Sequence, residues 1–193
     1  MSKQVEFFFD VGSPTAWLAW TQLPAICARR GAELVYRPVL LGGIFKATGN
    51  SPPAAVPAKG QYMLRDLGRF AKRYQVPLTM NPYFPVNTLG AMRIATAAAG
   101  TPEQDVVIAA LFDAMWKTPC KLSEPEELVR VLNEAGVDGA AWLEKSEADD
   151  VKQQLRENTD AAVKRGVFGA PTFFVGNEMF FGQDRLDFVE EAL

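Results

Sequence analysis

The first apolar run is short and aromatic. Val5, Phe7, Phe8 and Phe9 surround a single Glu6, and Asp10-Val11-Gly12 closes the run, which predicts a buried strand followed by a turn. Ser13-Pro14 then supplies an N-cap followed by proline at the first helical position. Trp17, Leu18, Leu23, Ile26 and Cys27 recur on one face until Gly31, so a helix is expected there. Residues 33–37 alternate as a second strand. A strand, a helix and a strand in this order form a right-handed crossover between parallel strands.

The pattern changes after Leu41-Gly42-Gly43. Gly49-Asn50-Ser51-Pro52-Pro53 and Pro57 punctuate this stretch too densely for regular structure, and a loop is expected. Residues 61–74, 88–99 and 102–117 carry helical apolar spacing, the third behind the capping box Thr101-Pro102-Glu103-Gln104. Ser123-x-x-Glu126 opens another helix ending at Gly136. A short helix follows around Trp142, and a polar-faced one runs over 147–165 to Gly166. The stretch from Gly166 through Pro171 leads into an apolar strand ending at Val175. Gly176-Asn177 then turns the chain back through Met179-Phe180-Phe181, as a hairpin with a two-residue loop does. Asp184 is expected to cap a last helix reaching Leu193. The reading is an α/β fold, β-α-β and then α-β-β-α, split by an all-helical insertion. Residues 1–58 and 147–193 form the sheet-bearing unit and 59–146 the insertion, with no internal repeat.

Composition narrows the chemistry. With 193 residues, 48% of them hydrophobic and 22% charged, the chain is an ordinary globule. Lys and Arg number 20 against 23 Asp and Glu, and no basic block is interleaved with aromatics, so nucleic acid is not an expected partner. Histidine is absent altogether. That removes Ser-His-Asp and Cys-His catalysis, His-ligated metals and imidazole proton relays together. Cys27 and Cys120 are far apart with no metal-ligand spacing, and no metal is expected. Cys27 reads as core, and Cys120 as a loop thiol with no base beside it. Neither a signal-peptide core nor an apolar run of about 18 residues occurs, so a soluble, cytoplasmic protein off the membrane is expected.

Pro171 reads either as strand-entry punctuation or as a cis-proline holding an open backbone edge. Between β-α-β before it and β-β-α after it, Ala170-Pro171-Thr172 falls where thioredoxin-like folds place a cis-proline loop facing the first helix. Four segments carry a closer resemblance: residues 8–19, which contain Asp10-Val11-Gly12-Ser13-Pro14-Thr15-Ala16-Trp17; the loop Thr48-Gly49-Asn50-Ser51-Pro52-Pro53; Lys59-Gly60-Gln61-Tyr62-Met63; and Val167-Phe168-Gly169-Ala170-Pro171-Thr172. Together they resemble, from end to end, the 2-hydroxychromene-2-carboxylate isomerases, bacterial relatives of kappa-class glutathione transferases. Periplasmic disulfide oxidoreductases share that fold but carry cysteines where this chain has Ser13 and Ala16, so dithiol chemistry is excluded.

The resemblance implies glutathione as the cofactor. Ser13 would hydrogen-bond its sulfur, and a hydroxyl donor at the positive end of a helix suits a thiolate. The plainer role of Ser13 is an N-cap alone. Ala170, with Pro171 beside it, would pair through its backbone with the cysteinyl part, Asn50 and Lys59 would take the glycine end, and Gln183 and Asp184 the γ-glutamyl end. A turn asparagine, a solvated lysine and an N-cap aspartate are the corresponding plain readings. For an aromatic carboxylate substrate, Lys46 would pair with the carboxylate while Tyr83, Phe84, Asn87 and Trp116 wall the pocket. These residues otherwise read as solvent and core positions. Arg65, Arg69, Lys72 and Arg73 read as a solvated helix face. The activity implied is interconversion of 2-hydroxychromene-2-carboxylate and trans-o-hydroxybenzylidenepyruvate in aromatic catabolism, by a homodimer. The alternatives are a kappa-like transferase or peroxidase and a glutathione-binding module without catalysis.

Overall fold

Strand β1 (Gln4–Phe9) lies inside a four-stranded sheet of order β2-β1-β3-β4. The computed structural model describes residues 3–193. β1 runs parallel to β2 (Glu33–Pro38) across α1 (Pro14–Arg30), as the opening pattern predicts. On its other side β1 pairs antiparallel with β3 (Thr172–Val175), which forms the expected hairpin with β4 (Glu178–Phe181) around Gly176-Asn177. Between the halves come α2 (Leu41–Thr48), a 3₁₀ turn (Pro53–Ala55), α3 (Pro57–Tyr74), α4 (Leu89–Ala98), α5 (Gln104–Trp116), α6 (Pro125–Glu134), α7 (Gly139–Ser146) and α8 (Asp149–Lys164). A second 3₁₀ turn (Gln183–Arg185) and α9 (Leu186–Ala192) end the chain.

The alternation of β1 sorts its side chains to two faces. Val5, Phe7 and Phe9 join one core with Phe173, α1 and the interior of α4 and α5. Phe7 stacks on Phe9 at 5.1 Å and on Phe173 at 5.6 Å, while Phe9 meets Phe112 of α5 at 5.5 Å. Phe8, facing the other way, packs with Val39, Ile44, Ala162, Val167 and Phe174. Each fully buried phenylalanine contributes about 1.5–3 kcal/mol, so both faces anchor the strand that ends at the candidate site.

Four local expectations are corrected. Leu41-Gly42-Gly43 opens a helix, not a loop. Its glycines hide the pattern, but buried Ile44 holds α2 to the sheet and the Asp10 carboxylate accepts the Leu41 N–H at 2.9 Å. Thr101 does not cap α5. Its hydroxyl donates back to Ala98, Gln104 accepts from Gly100, and the helix begins one tight turn later. Ser123 is displaced as the start of α6 because Pro125, with no N–H to place, takes the first helical position behind Glu124. Asp184 caps nothing. Gly182, at φ 97°, leads into the 3₁₀ turn, α9 begins only after Arg185, and the Asp184 carboxylate pairs with Arg185 at 2.7 Å.

Candidate active site

The site starts where β1 hands over to α1. Ser13 has extended backbone angles and caps α1, its Oγ accepting from the Ala16 N–H at 3.2 Å while Pro14 occupies the first helical position. The Ser13 hydroxyl donates to the carbonyl of Ala170 at 3.0 Å, across the peptide bond that Ala170 forms in cis with Pro171. Thr15 joins them, with Oγ1 3.0 Å from Ser13 Oγ and 3.4 Å from the same carbonyl. Ser13 is only 4% exposed. No acidic side chain lies in the first turn of α1, whereas α6 and α8 carry Glu126-Glu127 and Asp149-Asp150 there. The partial positive charge at the start of this 17-residue helix is therefore left for another anion.

The turn before Ser13 is held from below. Asp10 is 2% exposed, accepting from the Gly12 and Leu41 N–H groups at 2.9 Å each, with the Thr88 hydroxyl beside it. Burial pushes its carboxyl above the usual range, against hydrogen bonds from Leu41, Gly12 and Thr88 that favour the charged form. Its backbone carbonyl accepts the Ser13 N–H at 3.0 Å. Val11 donates to Met92 Sδ at 3.3 Å, and its carbonyl accepts Trp116 Nε1–H at 2.7 Å. Gly12 faces Thr88 so closely that a Cβ there would come within 3.0 Å of its Cγ2.

The predicted residues do not all come together. Ser13, Ala170 and Pro171 meet directly. Asn50 joins their loop by donating its amide to the carbonyl of Phe168 at 2.8 Å, two residues before Ala170. Lys59 lies in the first turn of α3 beside a groove of about 390 Å³ lined by Pro53, Ala58, Tyr62 and Met63. Lys46, in the last turn of α2, and Lys59 are exposed, and neither has an ion-pair partner among the described residues. Tyr83 is exposed on the segment between α3 and α4. Exposed Asn87 closes a turn just before α4, its side chain accepting the Leu89 N–H at 3.0 Å next to Thr88. Gln183 is buried, and its Oε1 accepts from the Tyr74 hydroxyl at 2.9 Å, so it supports the turn that carries exposed Asp184. Trp116 corrects the expectation. It is fully buried, sits against Phe84 at 5.8 Å and holds the Val11 carbonyl, so it positions the turn and walls no pocket.

Asp10 and Thr15 were not among the residues singled out from sequence. Their signals are an acid closing an aromatic run and a second hydroxyl two residues after the first. The chain's own thiols are not poised for chemistry. Cys27 sits 13 residues beyond Pro14 on α1, about 20 Å along the axis, and burial raises its thiol. Cys120 is also buried, and the expectation that no base stands beside it fails, since the Glu127 carboxylate does. Burial and that negative charge push the thiol up to about 11, which makes it inert. A second groove, about 560 Å³ between α5 and α6, is lined by Asp113, Lys117, Arg130 and Glu134 with small apolar residues and touches none of the Ser13 group.

The family model of the DSBA-like thioredoxin domain matches residues 4–193. The chain is similar to a 2-hydroxychromene-2-carboxylate isomerase from Sphingobium xenophagum, at 33% identity with 100% of this chain and 99% of that one covered. It is also similar to glutathione S-transferase kappa 1 from Rattus norvegicus, at 35% identity with 99% and 91% covered. A solved structure of a 2-hydroxychromene-2-carboxylate isomerase has a TM-score of 0.87 at 28% identity over 98% of this chain and 93% of the other.

Proposed function

The chain belongs to the DSBA-like thioredoxin family, among its 2-hydroxychromene-2-carboxylate isomerases and kappa glutathione transferases, and from that membership we propose that it is a glutathione-dependent isomerase. Its substrates in this reading are 2-hydroxychromene-2-carboxylate and trans-o-hydroxybenzylidenepyruvate. The observation that carries the reading is a serine hydroxyl at a helix N-terminus with no acidic side chain in its first turn, facing the Ala170-Pro171 loop. That donor set fits a sulfur anion and no redox dithiol.

Glutathione supplies a nucleophilic sulfur whose reversible addition to a conjugated double bond permits rotation about it. The residues of the chain hold and tune that sulfur. Ser13 Oγ–H and the α1 terminus favour the anion of a thiol whose ordinary pKa is about 8.5. Ala170 offers its backbone to the cysteinyl part, Asn50 and Lys59 the glycine carboxylate site, and Asp184 a counter-charge for the ammonium, in exchange for its exposed pair with Arg185. Lys46, Tyr83 and Asn87 are the proposed contacts for the aromatic acid. A homodimer in the cytoplasm is part of the proposal. Among the described residues no helix is long and apolar enough to cross a membrane.

Ring opening followed by absorbance, with and without glutathione, tests the reading: a rate indifferent to glutathione or to Ser13→Ala overturns it. The 35% identity to the kappa transferase supports a second reading, conjugation of the same thiol to an electrophile. Net consumption of glutathione with a chlorodinitrobenzene substrate and no isomerisation selects it.

A further inference from the structure

We propose that Thr15 is a positioning residue that frees the Ser13 hydroxyl hydrogen for the thiolate. The inference rests on the glutathione reading above and concerns how this chain's own hydroxyls respond to the sulfur. Ser13 Oγ carries one hydrogen. A lone pair is already occupied by the Ala16 N–H at 3.2 Å, and the hydrogen is engaged by the Ala170 carbonyl at 3.0 Å. Donating to a sulfur means leaving that carbonyl. Ala170 is buried, and the carbonyl's side-chain partners among the described residues are the two hydroxyls, so an unaccompanied turn of Ser13 would orphan a buried acceptor.

Thr15 removes that penalty. Its Oγ1 already lies 3.4 Å from the carbonyl and 3.0 Å from Ser13 Oγ, a triangle with two hydrogens and one shared acceptor. When the Ser13 hydrogen turns to the sulfur, the Thr15 hydrogen shortens onto Ala170. The thiol proton leaves to solvent, and no electron is transferred. Thr15 is β-branched, with few side-chain rotamers, and sits in the first helical turn, so its hydroxyl reaches this position with little entropy to lose.

The test titrates the thiolate of bound glutathione by its ultraviolet absorbance in the wild-type chain and in Thr15→Val and Thr15→Ser, with affinity for S-methylglutathione measured alongside. In Thr15→Val the bound thiol should titrate roughly half to one unit higher, about a 3- to 10-fold lower thiolate-to-thiol ratio at a given pH. Thr15→Ser should restore the wild-type value, and S-methylglutathione, which has no thiol to ionise, should bind all three alike. Thr15→Ala removes the same hydroxyl should valine crowd the turn, and the same rise is expected. A wild-type chain that leaves the thiol at its ordinary pKa overturns the glutathione reading and the relay with it. A lowered wild-type value matched by Thr15→Val and Thr15→Ala overturns the relay alone. So does an equal loss of S-methylglutathione and glutathione affinity, which marks a structural role.

Discussion

Replacing Asp10 by asparagine is the sharpest test of how the site is held. The carboxylate serves two backbone donors with two oxygens, Gly12 N–H on Oδ1 and Leu41 N–H on Oδ2, both at 2.9 Å. An amide has one acceptor oxygen, so whichever way the substituted side chain turns, one buried N–H meets an NH₂ group, at a cost of about 1–3 kcal/mol. For a chain of this size that lowers Tm by roughly 2–4 °C per kcal/mol. The cost also depends on pH. Burial raises the folded-state pKa of Asp10 above its ordinary value of 3.8, so the native state holds that proton more tightly than the unfolded chain. The stability this gives is complete below the ordinary value and is lost as pH rises through the raised one. The slope is at most about 1.4 kcal/mol per pH unit. Asparagine does not titrate, so the deficit of Asp10→Asn should be largest in acid and narrow toward neutrality. Urea unfolding followed by tryptophan fluorescence at several pH values between about 4 and 8 reads this directly. A gap that stays flat or widens with pH refutes the argument.

The remaining predictions concern other groups. Glu6, between Arg37 at 2.7 Å and Arg165 at 2.8 Å, has the opposite sign. Burial acts to raise its pKa, but hydrogen bonds from Arg165 and Arg37 outweigh it and hold the carboxyl low. Its stability is therefore present above the ordinary value of 4.5 and lost as pH falls through the lowered one. With both arginines partly exposed, Glu6→Gln should cost about 1 kcal/mol near neutrality, and the gap to wild type should close in acid; a gap that persists there counts against the pair. Cys27 and Cys120 should resist Ellman's reagent in the native chain and react as two thiols once it is denatured, while a fast native reaction would return a chain thiol to the chemistry. Gly12→Ala should lower kcat/KM by about tenfold or more through misplacement of Ser13, because its Cβ meets Thr88 Cγ2 at 3.0 Å. Thr88→Ser, which removes that methyl and keeps the hydroxyl by Asp10, should recover most of the loss, and a double variant no better than Gly12→Ala refutes the contact.

The sequence was most legible where one residue decides the geometry. Ser13-Pro14 marks the start of α1, Gly31 its end, and Gly176-Asn177 the hairpin loop, because each belongs to the few residue types its backbone position favours. It was least legible where a tertiary partner replaces a local signal. The helix α2 has no side-chain cap of its own, since its leading N–H is taken by Asp10, 31 residues earlier. Trp116 shows the same limit. An aromatic on a helix reads alike as pocket wall or core, and only its bond to the Val11 carbonyl, 105 residues away, decides between them.

Those long-range bonds assign the helices between the strands a role beyond walling a cleft. The turn from Asp10 to Gly12 is gripped on three sides: by Trp116 at the end of α5, by Met92 within α4, and by Thr88 at the start of α4, with the α2 N-terminus closing the fourth through Leu41. The placement of Ser13 follows from that grip, since its backbone N–H hangs from the Asp10 carbonyl and its hydroxyl from Ala170 on the far half of the chain. The Ser13 oxygen, held from both sides across 157 residues, is already placed before a ligand arrives, so that only its hydrogen has to turn when charge develops. Apolar substitutions inside α4 and α5 that leave every proposed ligand contact untouched should therefore register first in how well the chain stabilises a thiolate, and only second in how well it binds the rest of a peptide.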